Sequence, residues 1–170
     1  MSRGDFDLRA LYEALDEQRR AQKLNWDELA DQVSRHRTRL RPIAVSTITS
    51  LRDKPVGEGD GILQMLLWLR RTPESFVPGI VDPKSDIFCG AQLTTGQILR
   101  WDTPALYAAA DAKRREQSLT WTKAAQQVRG FTPGMLANLA KGGRIGFPRV
   151  MRLVLWLGPP AAAFTRIADW

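Results

Sequence analysis

Cysteine and histidine are almost absent from this 170-residue chain: Cys89 is the only thiol and His36 the only imidazole. A single cysteine excludes an intramolecular disulfide, so the fold needs no oxidising compartment. His36 stands among arginines, with no cysteine or carboxylate at ligand spacing, and no metal site is expected. No apolar run approaches the roughly 18 residues of a membrane span. The opening MSRGDFDLRALYEALDEQ has no signal-peptide core. The expectation is a cytoplasmic protein without membrane contact. GxxxxGK[ST], GxSxG, HExxH and CxxC are all missing. Paired acids fall only on helix surfaces, so the chain reads as a non-enzyme with no catalytic residue, no cofactor and no small-molecule ligand.

What the chain does have is one stretch written twice. LYEALDEQRRAQKLNWDELADQV returns 95 residues later as LYAAADAKRREQSLTWTKAAQQV, and windows 6–33 and 101–128 agree at 14 of 28 positions. The matches include Tyr12 with Tyr107, Arg19-Arg20 with Arg114-Arg115, Ala30 with Ala125, and Trp26 with Trp121. Agreement this dense, with two rare tryptophans in register, is duplication. Downstream the offset falls to 88, pairing Leu67-Trp68-Leu69 with Leu155-Trp156-Leu157 and Phe76 with Phe164. The first copy therefore holds seven extra residues between Val33 and Ser46. Two domains follow: 1–77, with an arginine-rich insertion at 34–45, and 100–170, joined by a connector at 78–99.

The net charge of +7 is unevenly placed. Residues 1–89 carry 14 Lys+Arg against 14 Asp+Glu, whereas 90–170 carry 11 against 4. A basic excess confined to one half fits a polyanionic partner. It fits a solvated basic surface equally well.

Leu8, Leu11, Tyr12 and Leu15 have the spacing of a helix with one buried face. Asn25 with Glu28 three residues on is a capping-box signature for a second helix. Third and fourth helices follow at about 46–52 and 60–70, with a short fifth from Thr72-Pro73. The second copy repeats the order: Thr103-Pro104, Thr120 and Thr132-Pro133 open its first three helices. A fourth runs from Pro148 to Leu157, and a fifth from Pro159-Pro160 to Trp170. The sum is an all-α fold of two tandem helical domains with about five helices each. Arg19-Arg20 and Arg114-Arg115 fit the C-terminal end of a helix dipole or a salt bridge, and the repeated tryptophans fit packing.

The series Leu119-Thr120-Trp121, Ala125, Val128, Gly130, Thr132, Leu136, Leu139 and Gly142 precedes a helix ending Leu155-Trp156-Leu157-Gly158. The first copy has Leu24-Asn25-Trp26, Ala30, Val33, Ile48 and Leu51, then Leu67-Trp68-Leu69. Each copy thus resembles the helix-turn-helix domains of the Cro/CI repressor (XRE-like) class, lambda-repressor-like in fold. The resemblance implies a third helix offered to the major groove of double-stranded DNA. The candidate contacts in the first copy are Arg35, Arg37, Arg39 and Arg41 of the insertion, then Ser46, Thr47, Ser50 and Arg52. In the second copy they are Gln127, Thr132, Met135, Asn138, Lys141 and Arg144. Arginines of the insertion suit phosphates or a minor groove, Asn pairs with adenine, and Ser and Thr are permissive. The implied function is transcription regulation, by a homodimer or by an internal pseudo-dimer. The alternative is a protein–protein interaction adaptor, antitoxin-like or phage-associated, on a scaffold that has lost sequence-specific DNA binding.

Overall fold

A computed structural model of the chain describes residues 4–35, 43–90 and 93–169. The first copy builds α1 (Leu8–Ala21), α2 (Trp26–Val33), α3 (Val45–Thr49) and α4 (Gly59–Leu69). A 3₁₀ turn, Ser50–Arg52, prolongs α3, and another, Pro73–Phe76, closes the copy. A short helix, α5 (Asp86–Gly90), lies between the copies. The second copy builds α6 (Thr103–Glu116), α7 (Trp121–Val128), α8 (Pro133–Asn138) and α9 (Arg149–Leu157), with 3₁₀ turns at Leu139–Lys141 and Ala161–Phe164. The link between second and third helices is 34–44 in one copy and 129–132 in the other, which reproduces the seven-residue insertion.

The same local chemistry starts and braces both copies. Asp7 and Asp102 cap their first helices, accepting from the N–H groups of Ala10 (2.9 Å) and Ala105 (3.0 Å). Asn25 and Glu28 close a reciprocal capping box, and Thr120 accepts from Lys123 N–H. Tyr12 stacks on Trp26 and Tyr107 on Trp121, with ring centroids 5.7 and 5.5 Å apart. Arg19 and Arg114 lie over those indoles and bind Asp16 and Asp111 at 2.6 Å. These paired arginines are brackets of the fold, joining charge, ring and helix end in one place.

The all-α expectation is overturned, among the described residues, by four short strands in two antiparallel sheets. β1 (Gly57–Glu58) pairs with β3 (Gly146–Phe147), and β2 (Gln97–Trp101) pairs with β4 (Thr165–Asp169). The fifth helix predicted to reach Trp170 is a single 3₁₀ turn, after which the chain continues as β4. The physical reason is that β2 is made by tertiary contact. Ile98, Leu99 and Trp101 are all buried, so no clean alternation marks the strand, and β2 packs on α4 of the other copy. The fold is therefore mostly helical with two small sheets, and each sheet ties together segments distant in sequence.

Both copies contribute to one continuous apolar cluster. Phe147 sits in the seam, its ring centroid 4.5 Å from Phe6 and 5.7 Å from Trp101. Gly59 makes room there: a Cβ at that position would lie 2.0 Å from the Ile145 carbonyl oxygen. Polar links across the seam are satisfied by specific partners. Arg152 donates to both carboxylate oxygens of buried Asp5 at 2.8 and 3.0 Å, and buried Glu74 accepts from Ala161 N–H at 2.6 Å. Among the described residues, no helix is long and apolar enough to cross a membrane.

Candidate nucleic-acid interface

The third helix of the second copy starts from a built cap. The Thr132 hydroxyl accepts from Met135 N–H at 3.1 Å, and Pro133 occupies the first turn, where its missing N–H costs nothing. Leu136 and Leu139 are buried and anchor the helix. Asn138, Lys141 and Arg144 are exposed on the other side, and Gly142 ends the turn in the left-handed region (φ 76°). Met135, Asn138 and Arg144 line one cleft of about 210 Å³ together with Arg149. Arg149 opens α9 with its guanidinium 5.8 Å from the centre of the Phe131 ring. Sequence reasoning missed it, although the surplus charge of this half was the signal.

Gln127 makes a packing contact that its expected role did not include. Its amide oxygen accepts from the Trp156 indole N–H at 3.0 Å, as Gln32 does from Trp68 at 2.9 Å. The side chain thus braces α7 against α9 in both copies' shared pattern.

In the first copy, α3 begins at Ala44 with no side-chain cap. Ile48 and Leu51 are buried, Ser46 and Thr47 are exposed, and half-buried Ser50 donates its hydroxyl proton to the Thr47 carbonyl (3.2 Å). Arg52 is held by Asp53 at 3.1 Å and lies 5.8 Å over Tyr12. The Asp53 hydrogen bond and charge raise the Arg52 pKa above its ordinary value. Arg35 is exposed just past α2. Arg37, Arg39 and Arg41 lie outside the described residues.

A second cleft, of about 350 Å³, joins the copies. Thr47, Asp60 and Gln64 line it from the first copy, Arg100 and Arg144 from the second. Arg144 lines both clefts and so stands between α3 and α8. Glu58 caps α4, accepting from Asp60 N–H (3.2 Å) and Gly61 N–H (2.6 Å). Asp60 Oδ1 accepts from Trp101 N–H at 3.1 Å. Burial pushes the Asp60 carboxyl up; the Trp101 hydrogen bond draws it back, Glu58 pushes it up further, and Arg100 and Arg144 lower it.

No family model, curated protein or solved structure matches the chain.

Proposed function

We propose that the chain binds double-stranded DNA through tandem helix-turn-helix units and acts as a transcription regulator, with the second copy making the principal contacts. The observation that carries this reading is the exposed group Asn138, Lys141, Arg144 and Arg149 around a capped third helix. Two of the four acids of the second copy are committed elsewhere: Asp102 caps α6, and Asp111 is taken by Arg114 and Arg115. Helix caps and cations of this kind suit phosphate oxygens, and Asn138 suits an adenine edge. The flanking of one arginine by α3 and α8 favours a single footprint over two half-sites about 34 Å apart.

The test is fluorescence anisotropy of the full chain on random duplex DNA across a salt series. Lys141→Ala with Arg144→Ala weakens binding to every sequence and flattens the salt slope by about one to two. Asn138→Ala costs about 1–3 kcal/mol on a preferred site and little on random DNA. Absence of salt-dependent duplex binding by the unaltered chain would sink the reading. Asp53, Glu58 and Asp60 beside α3 favour a second role for the first copy, a protein-contact surface, and that adaptor reading would then stand alone.

A further inference from the structure

The two copies meet across two related seams, and only one of them is electrically closed. Position 5 corresponds to 100 at the offset of 95, and position 64 corresponds to 152 at the offset of 88. In the first seam, Arg152 of α9 reaches Asp5 ahead of α1 in a two-pronged ion pair. In the second, the residue on α4 is Gln64 and the residue ahead of α6 is Arg100. The Gln64 amide N–H groups are spent on the carbonyls of Asp60 and Leu99, each at 2.8 Å. Among the described residues no carboxylate forms an ion pair with Arg100 as Asp5 does with Arg152, although Asp60 lies near enough to feel its charge. The Arg100 Nε is buried and, among the described residues, has no hydrogen-bond partner.

A buried guanidinium N–H without a partner costs stability, and native proteins seldom leave one without a ligand or water to take it. Two further observations point the same way. Arg166 stands directly opposite Arg100 in the β2–β4 register, where like charges repel. Arg144 lines the same cleft from the second copy, just past the turn that follows α8. Glu58 and Asp60 form the opposite wall; both Glu58 oxygens and Asp60 Oδ1 already hold the N–H groups of Asp60, Gly61 and Trp101.

We infer that Arg100 and Arg144 hold a phosphate oxyanion in the cleft between α3, α4 and β2, where it completes the seam as Asp5 completes its counterpart. Guanidinium forks match phosphate oxygens in pairs, and the cleft is open enough to admit a phosphate that is part of something larger. That phosphate belongs either to a DNA backbone or to a free phosphate-bearing small molecule. Only the DNA source rests on the function proposed above.

The experiment uses the full chain, Arg100→Gln, and Lys84→Gln as a connector control of equal charge loss. One arm titrates inorganic phosphate at constant ionic strength and reads thermal stability; the other reads anisotropy on a random duplex across salt. Arg100→Gln is expected to weaken phosphate binding about tenfold, and to lower the DNA salt slope by about 0.9 if the source is the backbone. Loss in the phosphate arm alone assigns the site to a free ligand and leaves the DNA reading to its own test. Loss in the DNA arm alone, beyond that of Lys84→Gln, assigns the site to the backbone. If Arg100→Gln matches the unaltered chain in both arms, the site does not exist. Should that variant fail to fold, exposed Arg144→Gln is judged in the phosphate arm alone, where unchanged phosphate binding overturns the site.

Discussion

Position for position around the third helix, the second copy carries Thr132, Lys141, Arg144 and Arg149 where the first carries Ala44, Asp53, Val56 and Gly61. One helix cap and three cations thus face no cap, an acid, an apolar residue and a glycine. The inward-facing chemistry runs the other way. Asp16, Arg19, Tyr12 and Trp26 make the same contacts as Asp111, Arg114, Tyr107 and Trp121, at nearly the same distances. Duplication has kept these bracing contacts and released much of what the solvent sees, while the seam between the copies differs as well. The contrast teaches where to look for function: on the surface where the copies disagree.

The largest effect comes from breaking the seam that lets the copies differ while sharing a core. Gly59 corresponds to Phe147, and the two meet the seam from opposite sides. A Cβ at Gly59 would lie 2.0 Å from the Ile145 carbonyl oxygen and 3.0 Å from Trp101 Cδ1. The backbone must move to admit it, so Gly59→Ala is expected to cost about 3 kcal/mol. Gly143→Ala, where nothing lies within 4 Å, is the matched control and stays within about 0.5 kcal/mol. Equal urea midpoints for the two variants would show that the seam is soft.

That seam also marks the limit of what was legible in the sequence. The caps at Asn25, Thr120 and Thr132, the ends of α1, α2, α6 and α7, and the seven-residue insertion all follow from local spacing, and the structure reproduces them. The strands do not. β2 and β4 pair only because the second copy closes on itself, with Gln97 meeting Asp169, and β1 meets β3 only because the copies pack. The site divides in the same way. Asn138, Lys141 and Arg144 are readable from helical period and a glycine stop. Gln127 is claimed by an indole 29 residues away, and Arg100 gains meaning only beside Gln64 and Arg144. Local rules wrote the helices; long-range pairing wrote the rest.

Transplanting charge sharpens the comparison at the surface. Asp53 and Val56 are exposed, so Asp53→Lys with Val56→Arg changes the face of the first copy without touching its core. The change also frees Arg52 from Asp53. Random duplex DNA is expected to bind about tenfold tighter at low salt, with a slope steeper by about two. Unchanged affinity in the same anisotropy assay would mean that charge is not what separates the copies.

The caps give a smaller and independent contrast. Thr132→Ala removes the acceptor for Met135 N–H and is expected to cost about 1 kcal/mol. Ala44 already has the extended backbone of a cap residue (φ −64°, ψ 140°), so Ala44→Thr is expected to return a similar amount. Thermal melts that move together in the two variants would show that α3 and α8 begin in the same way after all.

The smallest effect concerns Asp60, which stands where the second copy has Pro148. Burial, with Glu58 adding to it, raises the folded-state pKa above the ordinary 3.8, against the pull of the Trp101 N–H, Arg100 and Arg144. Between 3.8 and that raised value the folded chain keeps a proton that the unfolded chain has lost. Stability therefore falls as pH rises through the window, and the penalty is complete above the folded value. Asp60→Asn removes the titration while its side-chain oxygen still accepts from Trp101 N–H. The variant is expected to match the unaltered chain below the window, to gain on it through the window, and to hold a constant small lead above it. Thermal melts at a series of pH values from about 3 to about 7 follow the difference. A difference that is flat across the series, or one that grows as pH falls, would show that Asp60 is not strained by its burial and that the first copy carries its acid there at no cost.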